Sequence, residues 1–300
     1  MNTAIGGAPR KGLPRRAVRY ALLIRLHRPI GIFLLLWPAL WALWAAAGGM
    51  PPPVLVVVFV CGCVLMRSAG CVINDCLDLR FDRQVARTKG RPLARGLVSL
   101  REAGAVFGTL VLLSALLALT LSPPTILLAV AALFLACTYP LMKRCFRAPQ
   151  LYLGLAFSWS IPMAYAEITH SIPPAAGLLF LANLCWTVGY DTLYAMADRE
   201  DDSRIGLHST ALLFGRQDRI MVAALQGAAL ILLAALGLSQ GYRPVFYFCL
   251  ALAALLALYQ QYLVRERRPA MCIRAFANNG WLGAVVFCGF LANSWPLPSN

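Results

Sequence analysis

The sequence predicts an all-α polytopic membrane protein, a bundle of nine transmembrane helices, and three observations carry that expectation. Hydrophobic residues make up 60% of the 300-residue chain and the mean hydropathy is +0.69, outside the range of soluble globular domains. These residues are gathered into uninterrupted runs of roughly 20, the length a helix needs to cross a bilayer. A membrane barrel would show shorter segments of alternating polarity. Finally, tight turns bearing Gly and Pro alternate with longer basic connections, as in a chain that passes repeatedly between two unlike sides.

In chain order, residues 1–28 form a basic cytoplasmic lead-in with Arg10, Lys11, Arg15, Arg16, Arg19, Arg25 and Arg28 and no acid. It has no convincing signal-peptide cleavage site, and it is short and poor in Ser for a mitochondrial presequence, which its basic composition otherwise allows. Nine apolar segments follow, at 29–47, 53–73, 103–121, 124–142, 149–168, 172–190, 220–238, 244–263 and 276–295. They make one transmembrane domain over 29–295, and 296–300 is a tail. Turns at 48–53, 122–124, 171–174 and 241–244 lie on one side. Of the 27 Lys and Arg residues, 25 lie in the N-terminus or the longer connections; Arg243 lies opposite and Arg67 within a span. The positive-inside rule therefore places the longer connections in the cytoplasm.

Two of those connections carry the acids. Asn74 to Asp82 puts Asp75, Asp78 and Asp82 directly after the second apolar segment, and on a helix the three fall within one sector of about 60°. Tyr190 to Asp202 follows the sixth segment, and there Asp191, Asp198 and Asp202 form a narrow stripe. Their matching positions, four spans apart, suggest a repeat of four-helix units with a ninth helix added. Six of the twelve acids thus lie on two stripes, where mutual repulsion is best relieved by a hard divalent cation bound through oxygen. Magnesium fits, and because it is usually shared between one or two carboxylates and substrate phosphates, it implies a phosphate-bearing ligand.

Basic residues stand beside the first stripe. Arg91, before Pro92, and Lys143 and Arg144, after Tyr139-Pro140, are candidates for gripping phosphate oxygens and neutralising a diphosphate leaving group. Arg67, about two turns before Asp75, is a charge inside an apolar run and is expected to face a cavity. Glu167 is the other isolated charge, with a structural role as open as a catalytic one. The ten cysteines are scattered, most within apolar runs, and read as small buried hydrophobes rather than as disulfides or a zinc site. His27, His170 and His208 make no ligand pattern, and no glycine-rich phosphate loop is present. The net charge of +15 is spread over separate loops, which favours anionic lipid and diphosphate as partners and argues against nucleic acid.

These residues resemble the UbiA superfamily of intramembrane aromatic prenyltransferases, and within it the 4-hydroxybenzoate polyprenyltransferases. The resemblance rests on Arg25-Leu-His-Arg28-Pro29-Ile-Gly31, on Gly70 to Asp82, on Arg87-Thr88-Lys-Gly-Arg91-Pro92-Leu93 and on Tyr139 to Arg144. It continues through Tyr190 to Asp202 and Cys272 to Asn279, so that it covers most of the chain in order. It implies a bundle whose cavity opens to lipid and holds magnesium between the two acidic motifs and the diphosphate of a polyprenyl donor. Metal and diphosphate roles pass by resemblance to Asn74, Asp75, Asp78, Asp82, Asp191, Asp198 and Asp202, with Asp75, Asp78, Asp191 and Asp198 central to catalysis. Substrate-binding roles pass to Arg25, Arg28, Arg67, Asn74, Arg91, Tyr139, Lys143 and Arg144, facing the diphosphate or the carboxylate of 4-hydroxybenzoate. The implied reaction is polyprenyl transfer to the acceptor ring, ortho to its hydroxyl, in ubiquinone synthesis. A bacterial inner membrane is the expected location, with the site facing the cytoplasm and a mitochondrial inner membrane as the alternative. Another aromatic acceptor, or a secondary transporter with acids on an ion path, stays open.

Overall fold

A computed structural model describes residues 15–85 and 88–294 of the chain. Arg87, the first fourteen residues of the basic lead-in and the 296–300 tail lie outside the described residues. Every regular element described is helical, in the order α1 (Arg15–Leu23), α2 (Ile30–Ala47), α3 (Pro53–Leu77), α4 (Leu79–Asp82), α5 (Leu100–Ala118), α6 (Pro123–Cys145) and α7 (Pro149–Ser158). After these come α8 (Ser160–Thr169), α9 (Pro174–Ile205), α10 (Thr210–Phe214), α11 (Asp218–Ser239), α12 (Pro244–Leu263) and α13 (Pro269–Ser294).

Local chemistry sets the boundaries. Proline opens α3, α6, α7, α9 and α12, where its missing N–H would have had no intrahelical partner. α5 starts with a capping box in which the Ser99 hydroxyl accepts from the Glu102 N–H and the Glu102 carboxylate accepts from the Ser99 N–H. α9 runs without interruption to Gly206, whose left-handed φ of 72° closes it.

Among the described residues, seven stretches are long and apolar enough to span a membrane: α2, α3, α5, α6, Thr210–Ser239, α12 and α13. The two other expected spans differ for physical reasons. The 149–168 segment is broken at Trp159 because Pro162 has no N–H for the Ser158 carbonyl and its ring crowds that turn, which leaves two ten-residue helices. The 172–190 segment falls in the first half of the 32-residue α9 (from Pro174), where Asn183 and Tyr190, with Asp191 just after, lower the hydropathy.

The principal core joins α2 and α8 to α9, α11, α12 and α13 around Trp41, Trp186, Tyr190, Phe246 and Phe290. A smaller cluster fixes α1 to α3, α5 and the 88–99 loop through Leu23, Val72, Leu93 and Val98. α5 and α6 face outward instead: Leu112, Leu116, Leu127 and Phe134 are more than half exposed, a surface that suits lipid and not water.

Candidate active site

The first acidic motif straddles the end of α3. Asp75 lies in its last turn and is 2% exposed, Asp78 caps the helix with its N–H on the Asn74 carbonyl, and Asp82 closes α4. All three are buried, and cations from elsewhere in the chain compensate them. Arg25 Nη2 lies 2.5 Å from Asp75 Oδ1; Arg91 Nη1 bridges Asp75 at 3.1 Å and Asp82 at 2.6 Å. Asp78 is met by Arg144 at 3.3 Å and by Lys143 at 3.7 Å. Burial holds the Asp82 carboxyl above the usual carboxylate range; Arg91 draws it back, and the neighbouring Asp75 and Asp78 add to the rise. Arg25 reaches Asp75 from a left-handed backbone, φ 57°, in the turn after α1. A non-glycine residue holds that conformation only where its surroundings favour it, and here the turn that closes α1 does: the Leu26 N–H donates to the Ala21 carbonyl at 3.1 Å and the Arg25 N–H to the Leu22 carbonyl at 3.2 Å.

The second motif lies within α9. At about 100° per residue, Tyr190, Tyr194, Asp198, Asp191 and Asp202 fall on an arc of about 120°. All five line the same cavity. Arg199, just outside the arc, turns away. Its guanidinium donates to Asp218, to the Ala211 carbonyl at 2.8 Å and to the Gly215 carbonyl at 3.1 Å. Asp218 is fully buried and also accepts from Arg267 Nε at 3.0 Å and from the Arg219 N–H at 2.7 Å. This cluster fastens the 206–217 connection to α9 behind the acids. On the cavity side the His208 N–H donates to the Lys143 carbonyl at 2.9 Å, and the Thr210 N–H donates to the Gln150 side chain at 2.9 Å.

The cavity between the two motifs has a volume of about 1470 Å³. One end collects charge: Arg25, Arg28, Arg67, Arg91 and Lys143 face Asp75, Asp191, Asp198 and Asp202. The remainder is apolar, with Val111 and Leu117 from α5, Ile126 and Leu133 from α6, and the rings of Phe33, Trp37, Phe59, Phe157 and Trp281 from other helices. Arg67 fits beneath Gly31. Its Nη1 lies 2.8 Å from Cys71 Sγ, and its buried Nε has no hydrogen-bond partner among the described residues.

Most of the expected site residues are therefore brought together. Asp78, Asp82 and Arg144 do not line the cavity; α3 ends at Leu77, so Asp78 and Asp82 are not on one continuous helix with Asp75, and they pair with Lys143, Arg144 and Arg91, the last shared with Asp75. Among the described residues no three His, Cys, Asp or Glu side chains converge as a ready-made metal cage. The lining donors are nonetheless the carboxylate and amide oxygens of Asn74, Asp75, Asp191, Asp198 and Asp202, the hard ligands that suit magnesium when substrate phosphates complete its shell. The donor set fits the metal. Gly31, Cys71, Gln150 and His208 were not singled out as site residues; for Gly31 its place in the Arg25 to Gly31 motif was the available signal.

Similarity to known proteins agrees with this geometry. Relatives named 4-hydroxybenzoate octaprenyltransferase include one from Aeromonas salmonicida, 53% identical over 278 residues, which are 93% of this chain and 96% of the relative. Another, from Nitrosococcus oceani, is 54% identical over 92% of this chain and 97% of its own length. The apo structure of a UbiA homolog from Aeropyrum pernix K1 superposes with a TM-score of 0.77 at 26% identity, covering 88% of this chain and 98% of that one. A UbiA homolog from Archaeoglobus fulgidus bound to GPP and Mg2+ has the same fold, with a TM-score of 0.71 at 20% identity over 92% of this chain and 99% of its own. The UbiA prenyltransferase family profile matches residues 35–291, and the chain, an integral membrane protein, belongs to that family.

Proposed function

We propose that this enzyme transfers a polyprenyl group from polyprenyl diphosphate to 4-hydroxybenzoate, ortho to the hydroxyl, giving 3-polyprenyl-4-hydroxybenzoate in ubiquinone biosynthesis. The observation that carries the reading is the division of one cavity into a charged end and an apolar remainder, in a chain more than half identical to relatives of that name. The apolar part suits a long isoprenoid, and the charged end suits a diphosphate and a carboxylate.

Asn74, Asp75, Asp191, Asp198 and Asp202 would hold magnesium, with Asp78 and Asp82 supporting from the edge. When bound, the metal neutralises charge on the diphosphate oxygens. Arg25, Arg28, Arg67, Arg91 and Lys143, with Arg144 at the rim and Tyr139 on the wall, bind and orient the two anionic groups. The bond between the allylic carbon and the diphosphate oxygen breaks, and its electron pair leaves with the diphosphate. A pair of ring electrons, made available by the hydroxyl ortho to the attacked carbon, forms the new carbon–carbon bond. Loss of the ring proton restores aromaticity. The apolar walls keep water from the developing cation.

Counting α7 and α8 as one broken span and the apolar half of α9 as another gives nine crossings in a single transmembrane domain. The positive-inside rule turns the charged end toward the cytoplasm of a bacterial inner membrane.

The test is incubation of membranes bearing the protein with radiolabelled 4-hydroxybenzoate and a polyprenyl diphosphate, with magnesium or with excess EDTA. Magnesium-dependent movement of label into organic solvent is expected. Folded protein that moves no label would overturn the acceptor assignment.

A further inference from the structure

Phe276 of α13 enters the charged end of the cavity between two tyrosines of α9 that flank Asp191. Its ring centroid lies 4.9 Å from that of Tyr194 at an interplanar angle of 64°, and 6.0 Å from that of Tyr190 at 65°. Edge-to-face geometry of this kind is favourable between rings and fixes their orientation. The three rings make a continuous aromatic wall beside Asp191, at the charged end of the cavity, whereas the side that α5 and α6 line is aliphatic.

The wall is held from behind. Trp186 lies edge-on to Tyr190 at 5.1 Å and donates its indole N–H to Asn279 Oδ1 at 2.8 Å. An indole nitrogen only donates, so this bond fixes which way the Asn279 amide faces. Asn279 Nδ2 then donates to Gln260 Oε1 at 3.1 Å, the same oxygen that accepts from Gln226 Nε2 at 2.6 Å. Gln260 Nε2 in turn donates to Asn278 Oδ1 at 3.0 Å. Asn279 and Gln260 are fully buried and Gln226 is 3% exposed, so an amide network crosses four helices, α9, α11, α12 and α13, inside an apolar bundle. Buried polar groups that bond one another in this way favour a single packing arrangement over its neighbours. Phe276 is one turn before Asn279 on α13, so the network fixes where its ring projects.

We infer that Phe276 is a specificity-determining residue of the acceptor site: with Tyr194 it forms the surface on which the planar ring of the aromatic acceptor packs, and Asn279 positions it. The inference rests on the aromatic-acceptor reading proposed above. A flat ring gains from an aromatic wall in a way that a flexible polyprenyl chain does not, and the chain has the larger apolar part of the cavity, away from the charged groups. Arg67 and Asp191 line the same end, so a ring packed there keeps its polar substituents among charged groups. The wall also limits the width of the acceptor, since a second fused ring would meet Phe276.

Steady-state kinetics on the full-length enzyme in detergent test this, with 4-hydroxybenzoate and the bicyclic 1,4-dihydroxy-2-naphthoate as acceptors and the donor varied separately. Phe276→Ala is expected to raise KM for 4-hydroxybenzoate about tenfold, to leave donor KM within about twofold, and to raise the bicyclic to monocyclic ratio of kcat/KM. Asn279→Leu is expected to shift the same ratio in the same direction, which a general loss of stability would not do. Where Phe276→Ala does not fold, Phe276→Leu carries the same comparison. Unchanged acceptor KM, or a rise confined to the donor, overturns the inference while wild-type transfer keeps the acceptor reading intact. A wild type that transfers to neither acceptor overturns both.

Discussion

A Cβ at position 31 would lie 2.4 Å from both Nε and Nη2 of Arg67, so Gly31 leaves the space that the guanidinium occupies. The clash involves the far end of a flexible side chain and not backbone, so Gly31→Ala displaces Arg67 without disturbing α2. The expected outcome is a loss in kcat/KM of about tenfold or more with an unchanged unfolding temperature in detergent. In an Arg67→Ala background the same substitution adds little, because its effect acts through that side chain. A double-mutant cycle on activity measures this.

Asp75→Asn and Asp191→Asn remove carboxylates from opposite walls of the cavity. Each is expected to lower turnover at least about a hundredfold. Both variants are expected to keep the wild-type elution profile, because the amide keeps the shape of the acid, its oxygen at position 75 still accepts from Arg25 and Arg91, and Arg91 retains Asp82. Wild-type turnover in either one would remove that residue from the proposed site.

Asp218→Ala leaves Arg199 and Arg267 facing a buried position without their shared anion. Breaking a buried pair by deleting one partner costs about 3–5 kcal/mol, so a clear fall in unfolding temperature is expected. Arg267→Ala, at a more exposed position with Arg199 still in place, is expected to cost less. Thermal unfolding of the two variants side by side checks the order.

Glu167 accepts from the Ser122 N–H at 2.9 Å and from its hydroxyl at 2.7 Å, so it caps the start of α6 from the end of α8. Glu167→Ala is expected to cost about 1 kcal/mol, as loss of a cap does, with kcat/KM for both substrates unchanged. A large kinetic effect would return this acid to the list of functional candidates.

What could be read in advance follows from which interactions are local. Apolar runs and the acidic stripe of α9 depend on neighbours within a few turns, and Asp191, Asp198 and Asp202 do share one cavity. The first motif was legible only in part, because the helix stops at Leu77, and Asp78 and Asp82 pair with Lys143, Arg144 and Arg91 without lining the cavity. The break at Trp159 had a local signal in Pro162 that hydropathy alone overrides. Neither the Gln226, Gln260 and Asn279 network nor the Arg199, Asp218 and Arg267 cluster has such a signal, since each joins residues brought near only by packing.

The ion pairs around Asp75, Asp78 and Asp82 bear on the order in which the enzyme is assembled. The chain supplies counter-charges for its own first acidic motif, so, on the proposed magnesium reading, insertion and folding are expected not to wait for the metal, unlike those of domains whose ligands repel one another until one arrives. A chelator should therefore silence the protein without unfolding it, and magnesium added back should restore it within the time needed for binding. In the cell the same arrangement would let the enzyme mature in the bilayer and become active when metal and donor arrive together.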